Sequence, residues 1–277
     1  MATPATLDLL AVHRFGLDAT DAPTLVLLHG LTDSGRCWPD AVARWGSRHR
    51  ILALDALGHG ESRRLTADEL AEHAGDAGYA VTVATVEHEL AGSPAVLVGH
   101  SMGGLMATAI TAHRPDLVRA AVLEDPAWLL PRQEGPREER AAAWVADHRS
   151  FVEDLAAGVA RGRADNPRWP DAELAPWAEA KVATDEAFLA TGLALLSEPW
   201  TALVDRIGRP VLVVTGTERT IVPGALPALE ALDNPWVEVR VVTGAGHCVR
   251  RDDGTAFHAI VDPWLAAAFA ASPSNSA

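Results

Sequence analysis

The sequence predicts an α/β protein built on a doubly wound, mostly parallel sheet, with a helical cap inserted into it. Three observations carry that expectation: short apolar runs, helical patterns between them, and one interval that breaks the alternation. The runs are TLVLLHG (24–30), RILALDALG (50–58), AVLVG (95–99), AAVLED (120–125) and PVLVVTG (210–216). Each is short and apolar, carries at least one β-branched residue and ends in Gly or Asp, as expected of strands buried on both faces of a parallel sheet. Helical patterns at 80–92 and 102–114 fall between strands, which implies crossover connections and a layered α/β architecture. A last strand at 236–242 and a last helix at 256–270 would close the layers.

The interval between Asp125 and Pro210 is far longer than the about 2–6 residues of ordinary βα loops. It holds candidate helices at 136–161, 171–181 and 185–196, and five of the nine tryptophans: Trp128, Trp144, Trp169, Trp177 and Trp200. We read residues 129–200 as a cap set over the strand ends, with 1–128 and 201–277 forming the core.

Composition narrows the function classes. The chain has 277 residues, 48% hydrophobic and 22% charged, ordinary for a soluble globular enzyme. A formal net charge of −14 argues against nucleic acid or an anionic membrane as partner. The two cysteines, Cys37 and Cys248, form no CxxC pair, and a reducing, cytoplasmic setting is expected. The N-terminal stretch lacks a basic start followed by a long apolar run, so no signal peptide is expected. No apolar stretch reaches about 18 residues, the length that would suggest a transmembrane helix.

The stretch AVLVGHSMGG (95–104) places Ser101 where a strand runs into a helix, at the centre of G-x-S-x-G. A turn that sharp leaves no room for side chains at Gly99 or Gly103, and it exposes the serine above the sheet. The following helix would direct its N-terminal N–H groups at the same spot. A packing turn with an incidental serine is the competing reading, and the flanking strand and helix weigh against it.

HGLTDS (29–34), DALGHGES (55–62), GHSMGG (99–104) and GAGHCV (244–249) occur in an order and spacing that resembles the α/β-hydrolase fold family. The resemblance runs from about residue 8 to 270 and is weakest in the cap. It implies a serine nucleophile, Ser101, and a histidine just after the last strand, His247, as its base. It also implies an oxyanion hole made by the backbone N–H groups of Leu31 and Met102. His100 is read as a packing residue of the turn, His258 as structural, and Asp55, His59 and Ser62 as fixing a loop beside the pocket.

The acid departs from the family pattern. The usual position after the seventh strand falls on Arg219, in VTGTERTIVP, with Glu218 one place early. Asp125, in VLEDPAW, is the alternative that some relatives use, and it is preferred over Glu218. Glu124 ranks third, because strand alternation turns it away from Asp125.

Tryptophans in the cap suggest a bulky apolar substrate, and Trp38, Trp128, Trp144 and Trp177 are the candidate pocket residues. Packing of cap against core is the competing role for each. No metal-ligand spacing and no dinucleotide fingerprint occurs, so no cofactor and no metal are expected. The expected partner is a hydrophobic small-molecule ester or lactone, with a homodimer left open. A C–C bond hydrolase or perhydrolase using the same triad, and a non-catalytic ligand-binding protein, stand as alternatives. A serine at the nucleophile position argues against epoxide hydrolase or dehalogenase chemistry, which needs a carboxylate there.

Overall fold

The computed structural model describes residues 10–72, 74–129, 136–192 and 196–271. Its strands are β1 (Val12–Gly16), β2 (Thr24–Leu28), β3 (Arg50–Leu54), β4 (Ala95–His100), β5 (Val118–Glu124), β6 (Val211–Gly216) and β7 (Val237–Val242). They form one seven-stranded sheet in the order β1-β3-β2-β4-β5-β6-β7. All neighbours are parallel except β1, which runs antiparallel to β3 with Val12 opposite Leu54. The sheet is therefore the mostly parallel, doubly wound one that the sequence predicts. VHRFG (12–16) was not among the predicted strands, because its central His and Arg hide the period and only one neighbour pairs with it.

Alternation along the strands divides the core into two layers. Val26, Leu28, Leu52, Leu54, Leu97 and Leu123 face one cluster, while Leu25, Leu27, Ile51, Val96, Val98 and Val122 face the other. The first layer is covered by α3 (Ala74–Leu90), α4 (Met102–His113) and α10 (Val222–Leu232). The second is covered by α1 (Pro39–Trp45) and α12 (Gly254–Ala270), through Trp45, Phe257, Val261 and Leu265. Short α2 (Ala67–Glu72) precedes α3, and α11 (Val249–Asp252) precedes α12.

The interval between β5 and β6 is helical, as predicted, with boundaries that the local chemistry explains. The stretch 136–161 was expected as one helix. It is two, α5 (Arg137–Glu153) and α6 (Leu155–Asp165), because Asp154 ends the first in an extended conformation and caps the second by accepting the Ala157 N–H at 2.9 Å. There follow α7 (Asp171–Val182), α8 (Glu186–Ala190) and α9 (Trp200–Asp205). The predicted helix 185–196 covers α8, and its residues 193–195 lie outside the described residues. Helix α9 packs against α4 of the core, and its Trp200 ring stacks on Trp128 at 5.2 Å and 9°. The predicted strand 50–58 stops at Leu54, and Asp55 opens the loop DALGHGES instead. Among the described residues, no helix is long and apolar enough to cross a membrane.

Candidate active site

The predicted site residues sit at the carboxyl ends of the parallel strands, where open α/β sheets bind ligands. Ser101 follows β4, Asp125 follows β5, and His247 lies in the loop after β7. The serine has φ 52° and ψ −114°, a strained conformation for a residue with a Cβ. Close packing over-determines it. A Cβ on Gly99 would lie 2.3 Å from the Gly103 carbonyl oxygen, and one on Gly103 would lie 2.1 Å from that of Leu28. The Ser101 N–H donates to Glu124 O at 3.0 Å, and its carbonyl accepts from Ala127 at 2.9 Å.

Ser101 Oγ lies 2.9 Å from His247 Nε2, and His247 Nδ1 lies 2.5 Å from Asp125 Oδ2. A carboxylate accepts only, so Nδ1 carries the proton and Nε2 is left to accept from the serine hydroxyl. Asp125 is fully buried, with φ 36°. Its oxygens also accept from Thr215 Oγ1 at 2.7 Å, Ile221 N–H at 2.9 Å and Val222 N–H at 3.0 Å. Burial opposes its ionisation, but the histidine hydrogen bond, the histidine charge and the two backbone donors outweigh burial and hold its pKa below the ordinary value.

The two acid candidates differ sharply in place. Glu218 is exposed, and among the described residues its carboxylate accepts no hydrogen bond. The segment around Arg219 instead turns its backbone inward: Ile221 and Val222 bind Asp125, and the Thr217 and Glu218 N–H groups donate to Ala245 O at 2.9 and 3.0 Å. Glu124 points away, as alternation expects, and accepts the Arg250 N–H at 2.6 Å.

Gly30 lies against the nucleophile turn, since a Cβ there would stand 3.2 Å from the Ser101 Cβ. Leu31 follows it directly, and Met102 opens α4. Among the described residues, neither the Leu31 nor the Met102 N–H donates to a protein acceptor, so both remain able to bind a ligand oxygen.

His100 is buried beside His247, with ring centroids 4.8 Å apart, and its Nε2 stands 3.2 Å from the His247 carbonyl. Burial, reinforced by His247, pushes its pKa down to about 3. The ring is therefore neutral at ordinary pH and adds no like charge when His247 takes a proton. Both thiols are free. Cys37 is buried and Cys248 lies 3.7 Å from His100 Nε2, and burial pushes each up to about 12.

DALGHGES builds a loop support. Asp55 accepts from Gly35 N–H at 2.6 Å, Glu61 N–H at 2.7 Å and His13 Nε2 at 3.0 Å, and Ser62 Oγ donates to the Asp55 carbonyl at 2.7 Å. Burial resists ionisation of Asp55, yet these donors and the nearby His29 hold its pKa at about 2, from an ordinary 3.8. A depressed carboxylate stabilises the fold above its unfolded pKa, and that stability is lost as pH falls through the folded value. Urea unfolding between pH 4 and 2 is expected to show about 2 kcal/mol of acid sensitivity that Asp55→Asn lacks. His59 is fully buried, its ring 5.2 Å from His29 and 5.1 Å from Phe188.

The four tryptophans occupy different surroundings. Trp38 and Trp128 are 2% and 0% exposed; Arg250 covers the first at 4.8 Å, and the second donates to Thr108 Oγ1 at 3.1 Å. Neither offers open surface to a ligand in this conformation. Trp144 and Trp177 are half-buried, Trp177 packing edge-on to Phe151 at 5.3 Å and to Trp169 at 5.5 Å. Sequence reasoning passed over Lys181, the one lysine of the chain. It reaches from α7 to Thr32 Oγ1 at 3.2 Å, beside Leu31, and pairs with Asp147 at 2.8 Å. Among the described residues, no group of three His, Cys, Asp or Glu side chains could share a metal ion.

A family model described as the alpha/beta hydrolase family matches residues 25–260. The chain belongs to that family. The 2-(acetamidomethylene)succinate hydrolase of Mesorhizobium japonicum is 30% identical over 237 residues, 82% of either chain. The crystal structure of an E-2-(acetamidomethylene)succinate hydrolase superposes with a TM-score of 0.70 at 26% identity, covering 91% of this chain and 95% of the other. An enol-lactonase from Burkholderia xenovorans gives a TM-score of 0.68 at 24% identity over 93% and 96%, a likeness of fold. This α/β-hydrolase thus has named hydrolases among its relatives.

Proposed function

We propose that this α/β-hydrolase is a cytoplasmic serine hydrolase that cleaves a carboxylic ester or lactone of a hydrophobic small molecule. The observation that carries the reading is the unbroken relay from Asp125 through His247 to Ser101, at 2.5 and 2.9 Å. Ser101 Oγ attacks the carbonyl carbon while His247 Nε2 takes its proton, and the charge that develops on the carbonyl oxygen meets the Leu31 and Met102 N–H groups. The C–O bond to the leaving group breaks as His247 returns the proton to it, leaving an acyl-serine. Water, deprotonated by the same histidine, then attacks the acyl carbon and releases the acid. Asp125 fixes the tautomer and stabilises the imidazolium. Residues 129–200 act as the cap over this site, and the two free, high-pKa thiols suit a reducing compartment.

Lys181 favours a second reading of the substrate. Its ammonium group sits between the Phe151 and Trp177 rings, 5.2 Å from each, and touches the oxyanion loop through Thr32. A substrate carboxylate near the scissile group would share that ammonium with Asp147, and two relatives are named as hydrolases of substituted succinates. A chromogenic ester series separates the two. Neutral acyl chains of increasing length are expected to give rising kcat/KM under the first reading. Under the second, an acyl chain with a terminal carboxylate outpaces its neutral isostere about tenfold, and Lys181→Met removes that preference. Inertness on every ester, with Ser101 still reactive to a phosphonate, would transfer the proposal to C–C bond or perhydrolase chemistry.

A further inference from the structure

A short stretch of the helical insertion, RWPDAE (168–173), holds the loop that carries His247 by four separate attachments. The Arg168 guanidinium donates to the Gly244 carbonyl at 2.7 Å. The Trp169 indole N–H donates to Asp252 Oδ1 at 3.0 Å, and Asp252 Oδ2 in turn accepts the Gly246 N–H at 2.6 Å. Glu173 accepts from Arg250 Nη1 at 2.6 Å and from Arg251 Nε at 3.1 Å. These residues enclose His247 on both sides in sequence.

The two Glu173 attachments are buried. Glu173 is 1% exposed, Arg251 3% and Arg250 4%, and aromatic rings cover both guanidinium groups: Trp38 on Arg250 at 4.8 Å and Trp169 on Arg251 at 4.9 Å. Charges so enclosed tolerate little drift, because separating them leaves each unpaired away from water. The same cluster reaches the other parts of the site. Arg251 donates to Asp33 of the oxyanion loop at 3.0 Å, and the Arg250 N–H binds Glu124, the residue before Asp125. The loop itself is GAGH, with Gly244 at φ 80°, and has little internal rigidity of its own.

We propose that RWPDAE is a positioning clasp: Trp169 and Glu173 fix the Gly244–Asp252 loop and thereby hold His247 Nε2 within reach of Ser101 Oγ. Turnover then depends on the insertion being seated, since the clasp belongs to the insertion and the base belongs to the core. This rests on the reading of Ser101 as nucleophile and His247 as base.

The test is the rate at which a fluorophosphonate labels Ser101 in the full chain, resolved into kinact and KI and measured beside Tm. Trp169→Phe keeps an aromatic ring near Arg251 and Trp177 and removes the indole N–H together with the five-membered ring that carries it. Glu173→Gln keeps the shape and removes the charge. Loss of positioning lowers kinact about tenfold in Trp169→Phe and about 10–100-fold in Glu173→Gln, with KI within about twofold. Trp169→Phe is expected to lower Tm by the void it leaves yet to stay fully folded at the labelling temperature, so it carries the test even where Glu173→Gln fails to fold. A wild-type kinact in Trp169→Phe overturns the clasp, as does a fall in kinact that only follows a loss of folded protein. His247→Ala distinguishes the two levels. If it labels at the wild-type rate, the base assignment fails and the clasp with it; if it labels slowly while Trp169→Phe labels normally, the clasp alone fails.

Discussion

Replacing Ser101 with alanine is expected to lower kcat/KM on a chromogenic ester by about 10⁴–10⁶-fold, with KM little changed. The expectation follows from the geometry at the end of β4. The hydroxyl is the only group of that side chain within hydrogen-bond reach of His247, at 2.9 Å, so its removal deletes the proposed nucleophile and leaves the proposed base unpaired. The backbone that holds the turn is untouched, since the Ser101 N–H and carbonyl bonds to Glu124 and Ala127 do not involve the side chain. Alanine at φ 52° carries the same Cβ strain as serine, so Tm is expected to stay close to the wild type. Steady-state kinetics with a thermal melt checks both parts.

The second large effect separates the acids. Asp125→Asn is expected to cost about 10⁴-fold in kcat, whereas Glu218→Gln stays within about twofold of the wild type. The asparagine still fits between Thr215, Ile221 and Val222, whose donors need an acceptor oxygen. Its amide nitrogen is then turned towards His247 and offers a donor where Nδ1–H needs an acceptor. The imidazole takes the other tautomer, with its proton on Nε2, and can no longer deprotonate Ser101. Glu218 has no such role to lose, because its side chain is exposed and makes no hydrogen bond among the described residues. Equal losses in the two variants would remove the distinction between them.

What the sequence could show divides along the range of the interactions. The strand–turn–helix around Ser101 is local, and GHSMGG states it in six consecutive residues. The alternating core strands are equally local, so the sheet was expected with only β1 missing, where His13 and Arg14 obscure the pattern. The acid was harder, because it depends on which strand end comes within reach of His247. Asp125 is 122 residues from that histidine, and the backbone donors that keep it ionised lie 96 and 97 residues away. Only the registers of β5, β6 and β7 bring them together. The clasp was not legible for the same reason. Glu173 and Arg250 read separately as a helix carboxylate and one of a basic pair, and nothing local says that both are buried against each other. The tryptophans show the opposite limit. Residue type suggests an apolar wall, yet Trp128 is consumed by its stack on Trp200 and its bond to Thr108.

Ser101 is proposed to be a nucleophile activated by His247. The most direct test is peptide-resolved mass spectrometry of the full chain after brief exposure to a fluorophosphonate. One adduct is expected, on the peptide containing Ser101, forming at least about 100-fold more slowly in His247→Ala. No adduct in the folded wild type, or an adduct that forms equally fast without His247, would contradict the proposal.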